Sequence, residues 1–112
     1  MIKKDVFPAE LQELAAFARV ISHPARLAIL KYLAETPACI TGDISEFLPL
    51  SRTTVSQHLK ELRRMGLIHG EIDGLKVNYC LCKPTIRKHL TAFSEFFDQV
   101  EAAAQSCDTS HC

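Results

Sequence analysis

Residues 51–65, SRTTVSQHLKELRRM, constrain the fold of this chain more than any other stretch. Val55, Leu59, Leu62 and Met65 recur at steps of four, three and three, the spacing that lays one apolar stripe along a helix. The remaining residues are unusual for a solvated surface. Ser51, Arg52, Thr53, Thr54, Ser56, Gln57 and His58 crowd polar side chains into the first two turns, and Arg52, Lys60, Arg63 and Arg64 stand against the single anion Glu61. A solvated helix face mixes acids and bases more evenly. Hydroxyl, amide and imidazole groups on a basic stem have the hydrogen-bonding repertoire for base edges and phosphates in a DNA groove.

The flanks support a DNA-reading helix. Ile44, Phe47 and Leu48 predict one or two helical turns, Pro49 ends them, and Ser51 is a good N-cap for the next helix. Helix, tight turn and polar-fronted helix is the layout of a helix-turn-helix. Gly66 closes the second helix as a C′ glycine. Two β-prone runs, Leu67 to Ile72 and Leu75 to Cys82, then flank Asp73-Gly74, a hairpin signal. Leu75, Val77, Tyr79 and Leu81 share one face of the second run; Lys76, Asn78, Cys80 and Cys82 share the other. A hairpin at this place is a wing. Lys76, near its tip, either reaches a phosphate or the minor groove or is a solvated lysine.

The rest of the chain supplies a scaffold. Residues 1–7 read as a flexible arm. Pro8 opens a first helix carrying Leu11, Leu14, Ala15, Ala18 and Ile21, with Phe17 and Val20 widening its apolar face. Ser22-His23-Pro24 separates it from a second helix whose stripe is Leu27, Leu30, Leu33 and Ala34, with Arg26 near the surface. Ala38 to Thr41 is short and β-prone. Pro84 opens a last helix with Ile86, Leu90, Phe93, Phe97 and Val100 in line, a rod of roughly 33 Å. That stripe is longer than one small domain covers, so the first and last helices are expected to pair with a second copy. The expected fold is mainly α with a small β wing, a winged helix-turn-helix ordered helix, helix, strand, helix, helix, strand, strand, helix, in a single domain over residues 1–112.

At 112 residues and 47% apolar, the chain can pack one core. Zero formal net charge argues against a non-specific nucleic-acid coat and makes the local basic patch the relevant footprint. No apolar run approaches the roughly 18 residues needed to span a bilayer, so no membrane partner is expected, and without a secretory signal the chain reads as cytoplasmic. Five cysteines in such a chain point to thiol chemistry rather than structural disulfides.

SHPARLAIL, LSRTTVSQHLKELRRMGLI and GEIDGLKVNYCL together resemble the ArsR/SmtB family of winged-helix repressors, over roughly residues 11–105. The resemblance implies a homodimer built by the first and last helices, double-stranded operator DNA with a palindromic site, no enzymatic activity, and release by a metal, metalloid or oxidant acting on thiols or imidazoles. Carried over residue by residue, it places base recognition at Ser51, Thr53, Thr54, Ser56, Gln57 and His58, and phosphate contacts at Arg52, Lys60 and Arg64. His58 has a second reading, as a packing residue against the wing.

The family's inducer sites are matched only in part. Cys39 is present, but Thr41 and Ser45 stand where further thiols are expected. The last helix has His89 without a second imidazole, and Lys31 stands where persulfide-sensing members carry a cysteine. In a winged helix, Ala38 to Thr41 pairs with the second wing strand, which brings Cys39 across from Cys80 or Cys82. Three such thiolates suit trivalent arsenic or antimony, with a soft divalent metal second. Cys107 and Cys112 in the 106–112 tail are a further candidate. No constitutive cofactor is expected. Two alternatives stand: a redox-responsive repressor that forms a disulfide, and a thiol-based metal carrier with no DNA role. The carrier lacks a C-x-x-C motif, a glycine-rich phosphate loop and a nucleophile–base pair.

Overall fold

The computed structural model describes residues 6–36, 40–41, 44–46, 48–73, 76–105 and 110. Four α-helices surround a small antiparallel sheet. The elements run α1 (Ala9–Ile21), α2 (Pro24–Glu35), β1 (Ile40–Thr41), a 3-10 turn (Ile44–Glu46), α3 (Arg52–Arg64), β2 (Ile68–Asp73), β3 (Lys76–Leu81) and α4 (Lys83–Ala103). The order is the expected one with one difference. The helix expected before the recognition helix is a single 3-10 turn, because Gly42 and Pro49 leave too few residues for a helix to repay its nucleation. It still delivers Ile44, which is fully buried.

Local chemistry sets the boundaries. The Ser22 hydroxyl donates to the Arg19 carbonyl at 2.7 Å, so Ser22 closes α1 rather than capping α2. His23 takes the N-cap position of α2 with Pro24 at the first helical residue. At the end of α3, Gly66 has φ +82°, its N–H donates to the Arg63 carbonyl, and the Leu67 N–H donates to the Leu62 carbonyl, both at 3.0 Å. This pair of bonds is a Schellman stop. It turns the chain so that Leu67 and Ile68 enter the core, and the Cys82 N–H donates to the Leu67 carbonyl at 2.9 Å, tying the start of α4 to the end of α3.

The core is built from Phe17 and Val20 of α1, Ile29 and Leu33 of α2, Ile44, and Val55, Leu59 and Leu62 of α3, closed by Leu67 and Ile68. The α3 stripe is the predicted one, with Met65 half-buried against it. The α2 stripe is rotated from expectation: Ile29 and Leu33 are buried while Leu27 is 51% exposed. Apolar residues run most of the way around α2, so spacing alone did not select its inner face.

The sheet order is β1-β3-β2, with every pairing antiparallel. β2 and β3 form the wing, from Ile68↔Leu81 to Asp73↔Lys76. Residues 74–75, at the expected turn, lie outside the described residues. β1 pairs with β3 as Ile40↔Tyr79 and Thr41↔Asn78, as the sequence reading expected for the segment before the recognition helix. Tyr79 and Leu81 face the core.

Candidate DNA interface and thiol site

α3 is amphipathic in the way DNA reading requires. Val55, Leu59 and Leu62 anchor its inner side, which leaves Arg52, Thr53, Ser56, Gln57, Lys60, Arg63 and Arg64 exposed. Ser51 holds the helix start: its Oγ accepts from the Thr54 N–H at 3.2 Å and donates to Thr54 Oγ1 at 2.8 Å. Two of the expected recognition hydroxyls are therefore engaged with each other. Arg64 Nη1 lies 2.9 Å from Glu61 Oε1, an exposed pair of small energetic weight that a phosphate could displace. Lys76 is the first residue of β3 and pairs with Asp73 across the wing.

His58 sits apart from the exposed front. It is half-buried, and its Nδ1 accepts from Arg26 Nε at 3.0 Å. Arg26 Nη1 also donates to the Val20 carbonyl at 3.1 Å, and the His23 ring centroid lies 5.6 Å from that of His58. Burial, then the Arg26 guanidinium, then His23 hold the His58 imidazole below its ordinary pKa. Sequence reasoning placed Arg26 near the surface and missed this cluster; no local pattern reports a bond between residues 32 positions apart.

The cysteines divide. Cys80, on β3, is disulfide-bonded. Cys82 is a free thiol at the N-cap of α4, with Sγ 3.2 Å from Thr85 Oγ1. Hydrogen bonds from the Thr85 hydroxyl and then its backbone N–H draw the Cys82 pKa down. Cys39, Cys107 and Cys112 lie outside the described residues. Among the described residues no three His, Cys, Asp or Glu side chains form a metal-holding group. His89 stacks on Phe17 at 4.7 Å between ring centroids, a packing role that joins α4 to α1.

The comparisons agree with this geometry. The profile of the bacterial regulatory protein, arsR family, matches residues 23–69, from the N-cap of α2 into β2. The HTH-type transcriptional regulator YgaV of Escherichia coli (strain K12) is 34% identical over 73 residues, covering 65% of this chain and 74% of the relative. The chain belongs to the ArsR family of bacterial transcriptional regulators. This ArsR-family chain is also similar in fold to an ArsR-like transcriptional regulator from Rhodococcus sp. RHA1, with a TM-score of 0.70 at 21% identity over 85% of this chain and 89% of that one. Rv0081 of Mycobacterium tuberculosis gives a TM-score of 0.59 at 27% identity, over 86% and 96% of the two chains. As a member of this family the chain is a transcriptional regulator and not an enzyme.

Proposed function

We propose that this ArsR-family chain is a cytoplasmic homodimeric repressor that binds operator DNA through α3 and the wing and is released by chemistry at its cysteines. The observation that carries the DNA reading is the exposed polar and basic front of α3, held over buried Val55, Leu59 and Leu62. Thr53, Thr54, Ser56 and Gln57 address base edges, Arg52, Lys60 and Arg64 address phosphates, and Lys76 extends the contact along the wing. Dimerisation through α1 and α4 is supported by apolar side chains left in water: Phe7 and Leu11 at α1, and Leu90, Phe97 and Val100 on α4.

The first-choice inducer is trivalent arsenic or antimony, held by Cys39, Cys80 and Cys82 in the reduced protein, with a soft divalent metal second and Cys107 and Cys112 as further candidate ligands. Any inducer releases DNA only by its differential affinity for the two states. The test is operator binding by fully reduced protein, titrated with arsenite, cadmium and zinc in parallel. Release by arsenite at up to one equivalent per protomer supports the three-thiolate site. Cys39→Ser is expected to keep DNA binding and lose induction; retained induction removes that site.

A second reading, release by oxidation, is favoured by the disulfide state of Cys80. Cys39, one residue before β1 in sequence, is the proposed partner of Cys80. With a peroxide, one thiolate attacks an oxygen, the O–O bond breaks, and a sulfenic acid forms as hydroxide leaves and takes a proton from solvent; the second thiol then displaces water from the sulfenic acid to form the disulfide. Peptide mapping after mild peroxide, alongside loss of operator binding, distinguishes this reading from metalloid binding.

A further inference from the structure

We infer that Arg26 is a positioning residue for the recognition helix, acting through His58 only while that imidazole is neutral, so that operator selectivity is linked to proton binding at one residue behind the DNA-reading front. The inference rests on the assignment of α3 to DNA. Arg26 joins three elements. Its Nη1 donates to the carbonyl of Val20 in the last turn of α1, its backbone belongs to α2, and its Nε donates to His58 in the second turn of α3. A cation at the end of α1 also answers the carbonyls left open there. His58 follows Gln57 in sequence, so the contact that fixes the His58 ring also fixes the rotation at which Ser56 and Gln57 are presented.

The bond dictates the protonation state. Arg26 is always charged and has no acceptor atom. Nδ1 of His58 can take its Nε–H only through a lone pair, which leaves the imidazole proton on Nε2. A second proton removes that acceptor and sets imidazolium against guanidinium at the same contact. Among the described residues, the charged groups acting on His58 are Arg26 from α2 and His23 from the segment before it. Glu46 of the 3-10 turn, Glu61 of α3 and His69 of β2 are not among those that shift it, and Glu61 is engaged by Arg64. With no compensating carboxylate among the described residues, protonation loosens the junction of α2 with α3.

The experiment compares affinity for a palindromic duplex, selected from a random library by the protein itself, with affinity for a scrambled duplex. The ratio cancels the general phosphate attraction that any added positive charge brings. For reduced protein the ratio is expected to fall on the order of fivefold between about pH 7.5 and about pH 5.5, a range that brackets the ordinary imidazole pKa. His58→Asn puts an amide oxygen where Nδ1 stood and does not titrate; its ratio is expected to be flat with pH. Arg26→Met is expected to lower the ratio at the higher pH and abolish the step, with Arg26→Lys used if the methionine variant does not fold. His23→Gln is expected to keep the step. A flat wild-type profile, a step that persists in His58→Asn, or a step lost with His23→Gln overturns the inference. Nitrogen-15 NMR of the free protein, expected to report a neutral His58 with its proton on Nε2, tests the pair without DNA. If no duplex is bound at any pH, the DNA assignment fails rather than the pair; a proton found on Nδ1 overturns the pair itself.

Discussion

Cys82 and His58 have their chemistry shifted by their surroundings. Cys82 is a free thiol whose pKa is lowered because Thr85 stabilises its thiolate with both hydroxyl and backbone N–H. A lowered thiol pKa raises the thiolate fraction near neutral pH. The pH profile of Cys82 alkylation by iodoacetamide should therefore have its midpoint below that of an ordinary thiol, and Thr85→Val should move it upward; an unchanged midpoint would remove Thr85 as the cause. His58 gives the complementary case. Burial first, then Arg26 and His23, lower its pKa in the folded state from the ordinary 6.5. As pH falls below that value the unfolded chain takes up the proton before the folded one does. Stability is thus complete above about pH 6.5 and declines as pH drops toward the lower folded pKa. Urea midpoints of the reduced protein should fall between about pH 7.5 and about pH 5.5, and the fall should be smaller in His58→Asn.

At the scale of elements, the wing depends on one close approach. Gly70 pairs with Tyr79 across β2 and β3, and a Cβ at Gly70 would meet Tyr79 Cδ1 and Cε1 at 2.9 Å. β3 is paired on both sides, so the Tyr79 backbone has little room to yield. Gly70→Ala should cost about 1–3 kcal/mol, the usual range for overpacking. In a Tyr79→Ala background the cost should largely disappear, which denaturation of the parent, the two single variants and the double variant would measure as a coupling. This contact also marks where sequence reading stops. The α3 stripe, its Ser51 cap, the Gly66 stop and the two wing strands were legible, because each is written in local spacing or one residue's conformational preference. The pairing of β1 with β3 followed once the winged layout was adopted. The inner face of α2 was not legible, because Leu27, Ile29, Leu30 and Leu33 offer apolar surface in several directions. Nor were Arg26 with His58 or Cys82 with Thr85: the first is a long-range polar bond, and the second depends on where α4 starts.

The shape of the whole molecule argues for a second copy. Its radius of gyration is 17.5 Å and its extents are 56 × 35 × 27 Å, whereas a compact domain of this length has a radius of gyration of about 13 Å. α4 is the element least covered by the core: none of its residues is fully buried. Near its start it is held to α1 by Phe17, which stacks on His89 and meets Phe93 edge-on at 5.4 Å. Further along, the ring contacts of Phe97 among the described residues are with neighbours on its own helix, Phe93 at 5.9 Å and Phe96 at 5.2 Å. Its ring is 55% exposed, and Val100 beyond it is 49% exposed. Along α1 and the residues before it, an open groove presents a second, mainly apolar surface of Phe7, Leu11, Ala15 and Ala16, edged by Gln12, Glu13 and Arg19. Apolar surface on two helices that already meet through Phe17 is what a two-fold partner would cover. Phe97→Glu tests this with little damage to the fold, since the side chain contributes nothing to the buried core. Light scattering should give twice the chain mass of 12.5 kDa for the parent protein and the single mass for the variant. Far-ultraviolet circular dichroism should be unchanged. Operator affinity should fall by more than tenfold, because a monomer engages one half-site where a dimer engages two. A variant that stays dimeric and binds normally would place the interface away from α4.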